Sequence, residues 1–357
     1  MQLHKGPLTY TRFIASPQLD TAVVLASDFP SFKPIDPHGM AETSVAFCNP
    51  VDHDEPFYPT DEQRHLAVRI ETLKVSPAVL RDKVAAEAKV RCREQMRQSL
   101  TKRELGVLKA EITQRLRHTT EPKTKIVHVY LDEFCVRIFA TGATAMRVFD
   151  LLESTLNVVL NPLGPLTLAD QVFGDRIDVS QTCEPASFHL GVPTALPTVG
   201  SDDPRRYLGR EFLTWLWFRK SVEDVDLARI ELVESMVLAS GGAAAERVTV
   251  QDDSVDTCEE ARTALRCGKK VERLRFELGT EQLTYTATLN KGLQLASVRM
   301  PNEQEADGIE AGVLNRMARL QDLEAAVEVL FEKFIRIRAS EAWLGEMTAM
   351  CNWVQEG

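Results

Sequence analysis

Three basic residues at intervals of four form the strongest chemical signal in the sequence. Lys89, Arg93 and Arg97 recur at every fourth position, so a helix through them carries all three on one face. Further candidate contacts among the basic residues that follow are Lys102, Arg103, Arg115, Arg117, Lys123 and Lys125. A rigid surface with such charges can neutralise phosphates and gain affinity by counterion release, without reading base sequence.

The charge of the whole chain is opposite to that of this basic segment. Over 357 residues, 42 Lys/Arg and 52 Asp/Glu give a net charge of −10, which by itself argues against a nucleic-acid partner. Between Arg81 and Lys125, however, 13 basic residues stand against six acidic ones, a net charge of +7 that leaves −17 for the rest. This asymmetry favours a basic binding surface. The alternative is a solvated helix face balanced by its own acids, Asp82, Glu87, Glu94 and Glu104.

Catalytic motifs are absent from the sequence. It contains no glycine-rich phosphate loop, no G-x-S-x-G and no H-E-x-x-H. The densest set of possible metal ligands is His53, Asp54 and Glu55, with His38 and His65 in the same region. Histidines and acids in a proline-rich loop are more often surface residues, so we predict no catalytic residue, no metal site and no cofactor.

Aromatic residues cluster in one apolar run that contains Phe212, Trp215, Trp217 and Phe218. Such a cluster could stack the bases of a single strand. Packing in the core or at a subunit contact is the favoured interpretation for so apolar a run.

The basic segment is predicted to form two helices. Ser76-Pro77 is typical of a helix start, and this first helix should run to about Gln98. Thr101 and Glu104 predict a capping box for the second helix. The apolar stripe of that helix is Leu105, Leu108, Ile112 and Leu116.

The remaining pattern predicts an α+β fold with antiparallel sheets and long helices. A hairpin should turn near Asp132-Glu133, and a helix from Thr144 to Asn157 should bury Met146, Phe149, Leu152 and Leu156. The region 1–165 is expected to be an N-terminal α/β part, and 166–205 a proline-rich connector. The part 206–357 should hold a strand over 229–239, a turn at Gly241-Gly242, a β-meander and a long helix with a stripe from Leu314 to Phe334.

Composition and cysteine usage are those of a folded protein in a reducing compartment. Hydrophobic residues make up 44% and charged residues 26%. The seven cysteines form no C-x-x-C pair, which disfavours a disulfide framework and a structural zinc site. No segment resembles a signal peptide or is long and apolar enough to cross a bilayer, so we expect a cytoplasmic protein with no membrane partner.

The order and spacing of several segments resemble the RdgC family of recombination-associated proteins. These segments are LTYTRF, MAETSVAFCNP, HLAVRIETLKVSPAVLRDKV, RQSLTKRELGVLKAEITQRL, YLDEFCVRIFATGATAMRVFDLLESTLNVVLNPL, LRCGKKVERLRFEL and KGLQLASVRM. The resemblance covers most of the chain, and it is best from 65 to 165 and from 258 to 300. No single motif carries it.

The resemblance implies a non-enzymatic, nucleoid-associated protein. Members of the family form ring-shaped homodimers, bind double-stranded DNA with little sequence preference and restrain RecA-dependent recombination. Carried onto this chain, the DNA-contacting residues would be Lys89, Arg93, Arg97, Lys102, Arg103, Arg115, Arg117, Lys123, Lys125 and Gln251. The chain departs from the family at 246–253, where only Gln251 resembles the polar contact residues, and at 119–122, where the family can hold aromatics.

Two other functions remain open from the sequence. One is a protein-interaction scaffold of the same fold with little DNA affinity, which the acidic remainder of the chain would allow. The other is a metal-dependent nuclease that uses the region around His53.

Overall fold

The computed structural model describes residues 3, 5–19, 21–39, 41–60, 64–174, 204–224, 229–240, 246–252, 255–279, 284–301 and 308–356. The Gly241-Gly242 turn, Cys183 and most of the proline-rich connector predicted above lie outside these residues. Within them, no helix combines the length and the apolar character needed to span a membrane.

The described residues form eleven strands and nine α-helices. The strands are β1 (Thr11–Ser16), β2 (Thr43–Cys48), β3 (His65–Thr72), β4 (Lys123–Leu131), β5 (Cys135–Ile138), β6 (Val159–Pro162), β7 (Ile230–Ala239), β8 (Arg247–Gln251), β9 (Lys270–Gly279), β10 (Thr284–Asn290) and β11 (Leu295–Arg299). The helices are α1 (Thr21–Ala26), α2 (Pro77–Glu94), α3 (Lys102–Thr119), α4 (Gly142–Leu156), α5 (Pro165–Phe173), α6 (Pro204–Ser221), α7 (Glu259–Arg266), α8 (Ile309–Arg338) and α9 (Ala342–Gln355).

The strands make two sheets, and the chain divides into two compact units. The sheet orders are β2-β3-β4-β5-β1-β6 and β11-β10-β9-β7-β8. Each strand pairing with a described register is antiparallel, which confirms the predicted α+β class. Unit 1 comprises residues 15–160, and unit 2 comprises 2–14 and 161–357, so the division falls within β1 and β6.

The core of unit 1 includes the middle of β3 and the end of β4, where consecutive residues are buried on both faces of the sheet. Leu66 and Val68 on β3 and Val127 and Val129 on β4 are fully buried. The hairpin between β4 and β5 turns where the sequence predicted it. Helix α4 buries Ala145, Val148, Leu152 and Leu156.

The predicted burial of Met146 on α4 is wrong. Its side chain is 46% exposed, and Phe149 is only half-buried. The stripe that α4 buries follows Ala145 and Val148, and a helix turns by about 100° from one residue to the next. Met146 is therefore carried off the buried face.

The aromatic run of α6 lies in the core of unit 2. Phe212, Trp215 and Trp217 have no exposed surface, which excludes them as a platform for bases. The rings of Phe212 and Phe331 on α8 meet edge to face, with 5.3 Å between centroids. A buried ion pair joins Glu211 on α6 to Arg338 on α8 at 2.9 Å. On α8, Leu314 departs from the predicted stripe, because it is 55% exposed.

Helix α6 passes very close to the turn between β10 and β11. A Cβ atom added at Gly209 would lie 1.7 Å from the backbone oxygen of Lys291 and 2.6 Å from its carbonyl carbon. Because backbone atoms cannot rotate away as a side chain can, only glycine fits at this position in α6.

Two histidines meet across strands β3 and β4 of unit 1. His65 Nε2 and His128 Nδ1 are 3.1 Å apart, so one ring donates a hydrogen bond to the other. The ring of His53 lies 5.7 Å from that of His128 between centroids. Burial, followed by the nearby His128 and His53, lowers the pKa of His65 from 6.5 to about 3.

Replacing Gly209 by alanine should destabilise unit 2. We expect Gly209→Ala to lower the free energy of unfolding by about 3 kcal/mol, because the added methyl forces α6 away from Lys291. Trp215, Trp217, Trp343 and Trp353, all in unit 2, make tryptophan fluorescence during urea denaturation the suitable measurement. Gly345→Ala on α9 is the matched control, since a Cβ there meets no atom within 4 Å. Equal stability of the two variants would contradict the close approach.

Unit 1 should lose stability on acidification through His65. In the unfolded chain His65 is protonated below pH 6.5, whereas in the folded chain it is protonated only below about pH 3. The contribution of the neutral His65 ring to stability is therefore fully present above pH 6.5 and is lost as the pH falls. Between pH 7 and pH 5 we expect wild type to lose up to about 2 kcal/mol more than His65→Gln. Hydrogen exchange of the β3 and β4 amides measures this free energy in unit 1.

The exposed His38 provides the control for this titration. His38→Gln is the control substitution because it leaves the contact between His65 and His128 intact, so it should keep the loss of stability that His65 causes. A wild-type profile that already matches His65→Gln would show that the β3–β4 histidine pair does not resist protonation.

Candidate nucleic-acid interface

The basic segment folds as the predicted pair of helices, α2 and α3, which we call the basic hairpin (residues 77–119). Pro77 occupies the first turn of α2 after an extended Ser76, and the helix ends at Glu94. Met96 just beyond it has a φ of +49°, a left-handed conformation that breaks the helix. The helix therefore stops one turn before the predicted Gln98, and Arg97 lies in the connection.

Helix α3 begins with the predicted capping box. The Thr101 hydroxyl accepts a hydrogen bond from the Glu104 amide at 3.3 Å, and the Thr101 amide donates to the Glu104 carboxylate at 2.8 Å. The hydrogen bond from the Thr101 amide is the main cause that lowers the pKa of Glu104. Leu108 and Ile112 are the residues that α3 buries, so its orientation is fixed by part of the predicted stripe.

Two ion pairs lie within the basic hairpin. Arg91 on α2 contacts Glu111 on α3 at 2.6 Å, and Arg97 contacts Glu104 at 3.1 Å. The hydrogen bond that Arg91 donates to the Glu111 carboxylate raises the pKa of Arg91, and the charges of Glu87 and Glu94 add to the effect. Three acids are thus grouped around Arg91. Arg97, predicted as a DNA contact, is already paired with an acid of its own hairpin.

Lys89 and Arg93 project from the side of α2 opposite to this acidic group. A separation of two residues along a helix is a rotation of about 200°, which places Lys89 and Arg93 away from Arg91. Both side chains are exposed. Among the residues that the structure describes, no acid lies within ion-pair distance of either. These two predicted residues offer free positive charge.

Three of the predicted cations of α3 form no ion pair with a described residue, and the fourth binds backbone carbonyl oxygens. Lys102, Arg103 and Arg115 are exposed and form no ion pair with any described residue. Arg117 has a structural role, because its Nη2 donates hydrogen bonds to the carbonyl oxygens of Gly39 and Ala41 at 2.9 and 2.8 Å. Arg117 therefore ties α3 to the loop before β2.

The other predicted contacts lie outside the basic hairpin. Lys123 and Lys125 are exposed at the start of β4, where Lys125 Nζ donates to the Thr144 hydroxyl at 3.2 Å. Gln251 is exposed at the end of β8, an edge strand of the sheet in unit 2.

Three exposed cations of the hairpin, Arg81, Lys83 and Lys109, form no ion pair with any described residue and were not among the predicted site residues. Arg81 precedes Lys89 and Arg93 on the same line of α2, with Ala85 between, and Lys109 is exposed on α3. Arg81 could have been predicted from the sequence, because it lies eight residues, or two steps of four, before Lys89 on the same side of the helix. Lys109 carried no comparable signal, because its place depends on how α3 faces α2.

The proposed metal ligands near His53 are not assembled into a metal site in the described part of the chain. His53 Nδ1 donates to the carbonyl oxygen of Asn49 at 3.1 Å, and Asp54 is paired with Arg69 at 2.6 Å. The ring of His38 contacts that of His118 in a tilted arrangement, with 4.1 Å between ring centroids. His65 contacts His128, a partner that the sequence analysis missed.

Comparisons with known proteins leave the family of the chain unassigned. Neither the scan against protein-family models nor the search of curated proteins found a match.

Proposed function

We propose that this protein binds double-stranded DNA without sequence preference through the basic hairpin. The observation that carries the proposal is the set of exposed cations of the hairpin without ion-pair partners among the described residues: Arg81, Lys83, Lys89, Arg93, Lys102, Arg103, Lys109 and Arg115. Long cationic side chains on a rigid hairpin are suited to phosphates, which have the same spacing in every sequence.

The charges at the start of α3 favour an anionic partner in particular. Lys102 and Arg103 stand in its first turn, where the helix dipole makes positive charge unfavourable. Phosphate oxygens near these side chains would compensate for that unfavourable position. Glu104 is the only acid in this turn, and its carboxylate already contacts Thr101 and Arg97.

The biological setting of the proposal rests on the resemblance to the RdgC family. By this resemblance, the protein acts as a ring-shaped homodimer on the nucleoid, without enzymatic activity, and antagonises RecA-dependent recombination by occupying the duplex. Light scattering tests the dimer, which requires twice the mass of the 40.0 kDa chain.

A protein-interaction scaffold is the second candidate function. Helix α2 buries none of its 18 residues, and the chain carries a net charge of −10. An uncovered helix in an acidic protein suits a protein partner as well as it suits a nucleic acid. DNA affinity decides between the two candidates.

Charge reversal on α2 should remove DNA binding. We expect Lys89→Glu with Arg93→Glu to weaken binding of a random-sequence duplex at low salt by at least about tenfold, because two phosphate contacts become repulsive. Fluorescence anisotropy against salt concentration is the measurement. For wild type, four phosphate contacts would give a slope of log K against log salt of about −4.

Lys33→Glu with Lys74→Glu is the charge-matched control. Both residues are exposed in unit 1 outside the basic hairpin, so the net charge changes equally while the hairpin is intact. An equal loss in both double variants would contradict a local interface. Wild-type protein that leaves the duplex free at low salt would favour the scaffold.

A further inference from the structure

An apolar groove runs along the basic hairpin between α2 and α3. Its floor contains Leu80, Val84 and Ala88 from α2 and Leu105 from α3, and its volume is about 520 Å³. Arg81 on α2 and Lys109 on α3 also line it. We call this surface the hairpin groove.

The hairpin groove leaves apolar side chains in contact with water. Leu80, Val84 and Ala88 are only half-buried, and Leu105 is 37% exposed. Helices in proteins gain most of their stability by burying an apolar face, yet α2 has no buried residue at all. Covering this groove would therefore stabilise α2 and release water from apolar surface.

The charges around the hairpin groove are positive. Arg81 and Lys109 form no ion pair with any described residue, and Lys89 and Arg93 continue the line of Arg81 along α2. Of the acids around Arg91, Glu111 is paired with it, and Glu87 and Glu94 lie on the same side of α2 as Arg91. An occupant that brings carboxylates to the two sides of the groove would complement this pattern.

We propose that the hairpin groove binds an amphipathic α-helix of another protein, with an apolar stripe flanked by Asp and Glu residues. Apolar residues at positions i, i+4 and i+7 of such a helix fit a groove between two helices, and its acids reach Arg81 and Lys109. Duplex DNA matches the cations of the hairpin but offers little apolar surface to Leu80 and Val84. The two proposals share Arg81 and Lys109, but only the groove uses the apolar floor of Leu80, Val84, Ala88 and Leu105, so a substitution in that floor tests the groove independently of DNA binding.

The probe for this proposal is a synthetic amphipathic helix with a leucine stripe and glutamates on both sides of it. We expect the full-length protein to bind this peptide, and to bind a counterpart with lysine in place of each glutamate at least about tenfold more weakly. Fluorescence anisotropy of the labelled peptides measures both affinities. Arg81→Glu with Lys109→Glu should reverse the preference between the two peptides.

Substitution in the groove floor separates this site from the DNA interface. Val84→Ser should weaken the glutamate-flanked peptide several-fold and leave duplex binding unchanged. Val90→Ser is the matched control, since Val90 is 48% exposed on α2 and does not line the groove. Circular dichroism should be the same for both variants.

Three results would overturn the proposal. The first is equal binding of the two peptides, and the second is equal affinity of the Val84→Ser and Val90→Ser variants for the glutamate-flanked peptide. The third is a self-associated protein that Val84→Ser converts to a monomer, which would show that a second copy of the chain occupies the groove. Loss of DNA binding in Lys89→Glu with Arg93→Glu affects only the proposed function.

Discussion

The contact between α2 and α3 determines where this acidic protein carries its free positive charge. Arg91 on α2 pairs with Glu111 on α3, and Arg97 in the connection pairs with Glu104. Glu87 and Glu94 lie on the same side of α2 as Arg91, and their charges add to the rise in its pKa. Lys89 and Arg93 lie on the other side of α2 and form no ion pair with any described residue.

In unit 2, several carboxylates are paired with basic side chains inside the fold. Glu211 and Arg338 form a buried pair, and Glu346 accepts hydrogen bonds from Trp215 and Arg219. Burial by itself would raise the pKa of Glu272, but Lys291 and Arg210 outweigh it and lower that pKa. These carboxylates are neutralised within the fold and contribute little to the field outside. The net charge of −10 therefore says less about partners than the position of each charge does.

The basic hairpin presents two surfaces that attract the same kind of charge. Its outer cations suit phosphates, while the hairpin groove adds an apolar floor that phosphates cannot use. The two surfaces share the line of α2 that begins at Arg81. A helix bound in the groove would bring carboxylates next to Lys89, so the two partners would compete electrostatically even without overlapping.

Much of the local structure could be predicted from the sequence alone. Ser76-Pro77, the Thr101–Glu104 capping box, the β4–β5 turn and the C-terminal helices depend on neighbouring residues, whose signals are readable along the chain. The segment of positive charge was readable for the same reason. The family resemblance, and with it the ring and the link to recombination, stays a prediction.

Which charges are free and which surfaces are covered depends on contacts between distant segments of the chain. From the sequence, Arg97 and Arg117 were predicted as DNA contacts in the same way as Lys89. In the structure Arg97 pairs with Glu104, and Arg117 donates hydrogen bonds to the carbonyl oxygens of Gly39 and Ala41. Gly209 gave no signal, because its constraint is the Lys291 backbone 82 residues further along the chain. Such partners are set by packing between distant segments, and that packing has no signature in the residues next to each site.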